Sequence, residues 1–290
     1  MRVGSYEALA VLEGTFLLDG GAMFGIVPYP LWSRYHPPDD RGRIVMALRA
    51  LLLVGHERRI LVDCGIGRRF SAKQQKIYDH RQNLGGIAGA LARLGYSTPD
   101  ITDVIATHLH FDHVGGMLTP AADGVLVPTF EKARVHVQEE CFKWAENPTA
   151  WDGGSFFAGD LPIWERELDL RLARGEREIA PGVRVMVIGG HTPGQQLVVV
   201  EEGPGALVFC GDLIPTAAHI RLPYIMAYDR SPPQTLEEKK VLLARALEED
   251  WVLVFEHDPG ISACRLEEKD GAVVRGAAVC LNLPRQAQNR

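Results

Sequence analysis

The chain has 290 residues, of which 46% are hydrophobic, and a formal net charge of −6. Such a length and apolar share fit an ordinary globular protein with a large core. Mild acidity without a Lys/Arg block argues against a nucleic-acid or anionic-membrane partner, although metal ions can still supply a positive site.

In chain order, 8–20 reads as one or two strands ending at Asp19, Gly20 and Gly21. The apolar runs 44–55 and 58–65 flank the polar turn Gly55-His56-Glu57 and predict a hairpin. An Asn83 start signal, helical apolar spacing and a Gly95 stop predict a helix over 83–95. The buried strand 102–108 then delivers His108, and Gly115 and Gly116 let the backbone bend sharply after it. A strand at 133–138 and a helix at 139–147 lead into an aromatic, turn-rich stretch from Trp144 to Trp164 that fits a lid. Strands follow at 182–191, 195–202 and 205–212, then a helix at 231–250, a strand at 251–258 and weak strands at 260–266 and 272–281. Strands in runs, in two halves with helices between, predict two sheets packed face to face with helices outside.

Cys64, Cys141, Cys210, Cys264 and Cys280 are odd in number and lack a C-x-x-C pair. They read as reduced thiols in a cytosol. The N-terminus has no signal-peptide core, and the most apolar stretch, 44–54, is too short to span a membrane and contains Arg49. The expectation is therefore a cytoplasmic protein, a monomer or homodimer, with no membrane partner.

Four apolar strands end in ligand-type residues: one at His108, one at His191, one at Asp212 and one at His257. With His110, Asp112 and His113 they make five imidazoles and two carboxylates, donors of the kind zinc, manganese or iron accepts. That is too many for one tetrahedral ion and suits two ions with a bridging carboxylate. Residues two apart on an extended segment point the same way, so His108 and His110 can hold one ion. The next turn lets Asp112 and His113 face a second, Asp212 is the candidate bridge, and His191 and His257 complete one ion each. His36, His56, His80, His136 and His219 read as turn or surface residues.

The segments THLHFDH, GGHTPGQ, CGD and EHD, in that order, resemble the metal-binding motifs of the metallo-β-lactamase superfamily. LVDCG resembles its early aspartate motif, and LDGGAMFGIVPYPLW and NPTAWDGGSFF resemble its lactonase and organophosphate hydrolase branch. The resemblance implies an α+β fold, a four-layer αβ/βα sandwich of two mixed sheets, with the site at one edge. It also implies His108, His110 and His191 on one metal, Asp112, His113 and His257 on the other, and Asp212 bridging. One domain over 1–290 is expected, with N-terminal strands and a loop over 1–43 and a cap over 117–180.

Two divalent ions about 3.5–4 Å apart bring a shared water close to neutral pKa, and the bridging hydroxide then attacks a small ester. Zinc is the first expectation for both ions, with manganese or iron as alternatives. No G-x-S-x-G elbow competes with this chemistry. Asp63 either orients a ligand histidine or forms the turn before Gly65. Related lactonases use a tyrosine three residues after the bridging aspartate; here that position is Pro215, leaving Tyr224 and Tyr228 as candidates beside Asp112 and Asp212 for catalytic roles. Phe24, Trp32, Trp144, Trp151, Phe156, Phe157 and the two tyrosines are the candidate pocket walls, suited to an uncharged lactone or phosphotriester. GGAMFG reads as a mobile loop near the site or a dimer contact. The rival readings are a phosphodiesterase on the same centre and an iron-dependent redox protein of the same fold.

Overall fold

A computed structural model describes residues 1–83, 85–157, 159–201 and 205–281. Leu84 in the expected first helix, Glu202 at the end of an expected strand and the C-terminal 282–290 lie outside the described residues.

The first sheet runs in the order Arg2–Val3, Tyr6–Asp19, Arg43–Gly55, Arg58–Val62, Asp103–Ile105, Arg134–Gln138 and Asp169–Ala173, with Arg81–Gln82 also paired to Tyr6–Asp19. The second runs Arg177–Ala180, Val183–Ile188, Gln195–Glu201, Ala206–Phe209, Val252–Val254, Ala263–Lys269 and Ala272–Ala278. Both are mixed. Parallel pairs occur where a helical crossover intervenes, as with Gly86–Arg93 before Asp103–Ile105 and Pro232–Glu248 before Val252–Val254.

The unbroken apolar runs have a simple cause: each sheet is buried on both faces. Leu51, Leu53, Ile60 and Val62 turn inward against Val183, Val185, Val198 and Val200 of the opposite sheet. Leu52, Leu61 and Val104, one residue out of step, turn outward against Leu91, Phe142 and Trp164 of the first helical layer. Leu197, Val199 and Val208 pack likewise against Leu242, Leu243 and Ala246 of Pro232–Glu248. The four layers are thus helices, sheet, sheet, helices. Among the described residues no helix is long and apolar enough to cross a membrane.

Some local expectations change. The first long helix is shorter, Gly86–Arg93, because the Asn83 amide donates to the Leu12 carbonyl and does not cap. GGAMFG is a helical turn, Gly20–Phe24, in which Asp19 accepts from the Ala22 amide at 2.7 Å and Met23 and Phe24 are buried. A helix at Ala72–Tyr78 was not expected, although Ser71 and Gln74 form its capping box. The irregular apolar spacing of Pro232–Glu248 arises because Lys239 sits on its buried face. Its ammonium donates to the Arg221 and Tyr224 carbonyls at 2.9 and 2.8 Å, and burial pushes it down to about 7.

Gly115 and Gly116 serve a purpose other than a sharp bend. Neither has a positive φ. A Cβ at Gly115 would meet the Ile66 carbonyl oxygen at 2.3 Å, and one at Gly116 the Cys64 oxygen at 2.4 Å. Close packing of this turn on the 63–67 loop requires glycine. Gly116→Ala should cost about 1–3 kcal/mol by overpacking, seen as a lower melting temperature at fixed metal content; an unchanged melt would refute that packing argument.

Candidate metal centre

His108, His110, Asp112 and His113 follow the strand Asp103–Ile105, with Phe111–Val114 forming one helical turn. His191 follows Val183–Ile188, Asp212 follows Ala206–Phe209, and His257 follows Val252–Val254. All seven are buried at one edge of the sandwich. Donor atoms of His108, His110, His191 and Asp212 lie within 4.8 Å of one another, and so do those of Asp112, His113 and His257.

The two Asp212 oxygens face different groups. Oδ2 lies 3.3 Å from His191 Nε2 and 3.9 Å from His108 Nε2. Oδ1 lies 3.2 Å from His257 Nε2 and 3.5 Å from His113 Nε2. Asp112 Oδ2 approaches His257 Nε2 at 3.6 Å. Within the first group, His110 Nδ1 is 2.9 Å from His108 Nε2 and 3.1 Å from His191 Nε2.

These spacings are a test of fit. Two ligands each 2.0–2.1 Å from a tetrahedral ion stand roughly 3.3 Å apart. The observed donor pairs scatter about that value. Most of the imidazoles are also anchored through the other ring nitrogen, as metal-binding histidines usually are. His191 Nδ1 meets Asp229 Oδ1 at 2.8 Å, His257 Nδ1 meets the Ala47 carbonyl at 2.8 Å, and His108 Nδ1 meets Thr107 Oγ1 at 3.0 Å. His113 Nδ1 meets Asp63 Oδ2 at 3.0 Å. Only His110, among the five, has its remote nitrogen buried without a partner.

Asp63 fills both roles left open for it. Its φ of 56° is left-handed, as a turn before Gly65 requires, and its carboxylate also accepts from the Thr107 amide and hydroxyl at 2.8 and 2.6 Å. The field of the cluster is uneven. Burial, then the neighbouring imidazoles, holds His108 and His110 well below the usual histidine range. At His257 burial pulls down but Asp212 and Glu256 outweigh it, raising the ring to about 9. Asp212 is resisted by burial yet held well below the carboxylate range by His113, His257 and His191.

The tyrosines part company. Tyr224 packs edge-on against Phe24 at 5.8 Å, with Tyr35 and Arg221 beside it. Tyr228 is 37% exposed, and its hydroxyl is raised by burial, then by Asp19, Tyr78 and Asp112. Tyr78, which the sequence did not single out, is raised by burial and then by Asp112. Its ring lies 5.2 Å from Phe111. Of the expected walls, Phe156 touches the His110 ring at 4.9 Å and Phe157 lies 6.0 Å from Phe111. Phe24 and Trp32 stack in the core at 5.4 Å, Trp144 lies under Arg230, and Trp151 is 73% exposed. Arg69 fastens Asp160 to the turn after the donors, by a two-pronged 2.6 Å pair with Asp160 and a donation to the Gly115 carbonyl.

Three of the remaining histidines are buried, where turn or surface positions were expected. His136 Nε2 pairs with Asp103 at 2.9 Å. His219 is pushed down to about 3 by burial and bonds the Met23 carbonyl and Thr216. His36 packs on Phe24. Each has a structural partner in place of an ion.

A four-layer sandwich with this paired donor set at its edge defines a metal-dependent hydrolase with a dinuclear-type site. The chain belongs to the metallo-β-lactamase superfamily, whose family model matches residues 49–257. A probable metal-dependent hydrolase from Staphylococcus aureus superposes with a TM-score of 0.83 at 27% identity, over 97% of this chain and 100% of that one. A probable metallo-hydrolase of Mycobacterium tuberculosis is 24% identical over 75% of this chain and 76% of its own. An N-acyl homoserine lactonase of Bacillus thuringiensis is 28% identical over 59% of this chain and 62% of its own.

Proposed function

We propose that this chain hydrolyses a small uncharged ester, a lactone first and a phosphotriester next, with two zinc ions. The observation that carries the reading is the split carboxylate of Asp212, one oxygen toward each histidine group. Its support in kind is the lactonase similarity and an aromatic wall beside the donors. His108, His110 and His191 would hold one ion, Asp112, His113 and His257 the other, with Asp212 between them. Such a pair supplies an activated water near neutral pH and polarises the ester oxygen.

The chain's own groups do the rest. Asp112 and Asp212 fix the charge balance of the pocket floor, and Phe156 and Phe157 exclude water above it. Within 117–180, Arg134–Gln138 and Asp169–Ala173 belong to the first sheet and Arg177–Ala180 to the second, so the cap is confined to the aromatic stretch carrying Phe156 and Phe157, tied down beside it by the Arg69–Asp160 pair. Tyr228, aided by Tyr78, takes the place of the lactonase tyrosine by donating its hydroxyl proton to the leaving oxygen. Replacing either by Phe should lower kcat about tenfold or more with unchanged ion content. Tyr224→Phe should stay within about twofold, since its neighbours are Phe24, Tyr35 and Arg221 and not the donor groups. Unchanged rates in both Tyr78→Phe and Tyr228→Phe would remove these hydroxyls from the mechanism.

The deciding experiment measures initial rates of the zinc-loaded protein on lactones, an aryl ester, a phosphotriester and a phosphodiester, with Asp212→Ala as blank. Preference for a lactone or phosphotriester supports the reading. Preference for the phosphodiester, or blank-level rates throughout, overturns it.

A further inference from the structure

Arg49 interrupts an otherwise apolar strand, and Glu256 precedes a ligand histidine, yet neither has a place in the reaction above. Glu256 is fully buried. Neither of its oxygens accepts a well-formed hydrogen bond among the described residues. What faces it is His113: Oε2 stands 2.9 Å from Nδ1. Asp63 already approaches the same nitrogen at 3.0 Å, and Thr107 already supplies Asp63. Two carboxylates therefore converge on one ring nitrogen, while Nε2 of that ring faces Asp112, Asp212 and His257.

Arg49 makes this arrangement rigid. Its guanidinium donates to the Phe255 carbonyl at 2.6 Å and to the Asp258 carbonyl at 2.9 Å, bracketing Glu256. Its backbone amide donates to the Glu256 carbonyl at 3.2 Å. Two residues earlier on the same strand, Ala47 bonds His257 through both main-chain groups. A buried carboxylate without full hydrogen bonding is costly. Here the Arg49 guanidinium is held nearby by main-chain carbonyls on either side of Glu256, behind one ligand.

We propose that Glu256 is a positioning residue for the ion site of Asp112, His113 and His257: with Asp63 it clamps His113 from behind, fixing its ring and strengthening Nε2 as a donor. The inference rests on the dinuclear reading of the cluster. It makes the two ion sites unequal in a stated way, because the His108, His110 and His191 group has no such pair of carboxylates.

The test uses the full chain stripped of metal and titrated with Zn²⁺ against a chromophoric chelator, and separately with Co²⁺ followed by visible absorption. Wild type is compared with Glu256→Gln and Glu256→Asp. Expected for Gln is a loss of about 10–100-fold in affinity at one of two equivalents. The other equivalent holds, and the Co²⁺ bands of the weakened site alone change. The ion-free Gln variant should melt no lower than wild type, since the buried side chain has no well-formed hydrogen bond to lose; a merely structural glutamate would give the opposite pattern. Asp, one methylene shorter, should weaken the same equivalent by less, and it carries the test if the Gln variant does not fold. Two equivalents of wild-type affinity with unchanged bands overturn the proposal. So does equal weakening of both. A third wild-type equivalent that vanishes in Gln shows the carboxylates ligating, which also overturns positioning. Wild type that binds no ion overturns the dinuclear reading itself, an outcome distinct from the rest.

Discussion

Asp212→Ala should abolish both ion pairing and catalysis: at most one ion retained, and kcat/KM down by at least about 10³-fold. The size follows from geometry. One side chain faces four imidazoles, at 3.2, 3.3, 3.5 and 3.9 Å. Where two ions are held as proposed, its removal would strip each of a charged ligand and take away the link between them. Metal stabilisation of a transition state is worth several kcal/mol, and each 1.36 kcal/mol is a factor of ten. Asp212→Asn is the sharper control, because it preserves volume and removes only charge. Metal analysis and initial rates on the same preparations decide the matter. A variant that keeps two ions and full activity would end the bridging role.

Metal removal should be nearly as damaging to stability. Each ion present at 100 times its Kd adds about 2.7 kcal/mol to the folded state. Two ions add about 5 kcal/mol, roughly 10–20 °C in melting temperature for a chain of this size. The effect must depend on pH. His257 carries a proton up to about 9, and His113 is also raised well above the usual range, burial being outweighed by Glu256, Asp212 and Asp112. An ion has to displace those protons. As pH falls below about 9 the competition grows, so apparent affinity drops about tenfold per unit for each proton displaced, and the metal-induced rise in melting temperature shrinks. For the ion-free protein the sign reverses. A raised histidine stabilises the fold fully below its unfolded value near 6.5, and that contribution is lost as pH climbs through about 9. Melts with zinc and with chelator from pH 6 to 9 measure both trends; a pH-independent zinc effect contradicts the proton competition.

The ligand-bearing strand ends were legible because chemistry is dense there: four ligand-type residues within 108–113, and one more at the end of three later apolar strands. The sandwich was legible for a related reason, since runs such as Leu51-Leu52-Leu53 make sense only if both faces of a sheet are covered. What supports the ligands was hidden. Asp229 reaches His191 across 38 positions, and Arg69 reaches Asp160 across 91. Nothing local marks either partner. Tyr78 was missed with its helix, although the Ser71–Gln74 capping box gave a usable signal. The reason for Gly115 and Gly116 was beyond sequence, because the carbonyls that exclude a Cβ belong to a segment some fifty residues earlier.

Gln196 carries a wider consequence. Its backbone amide donates to the Thr107 carbonyl at 2.8 Å, and its side chain donates to the Ala106 carbonyl at 2.7 Å while accepting from Gln138 at 3.0 Å. Greasy faces can slide over one another at little cost; directional bonds cannot. Four histidine and aspartate donors come from one sheet and three from the other, so a slip of an ångström between the layers would spoil the coordination distances. Gln196, with the Ala47 and Arg49 bonds to the 255–258 segment, acts as a detent against such a slip beside the donors. The apolar side chains between the sheets are thereby freer to change, so long as these few polar bonds stay in register.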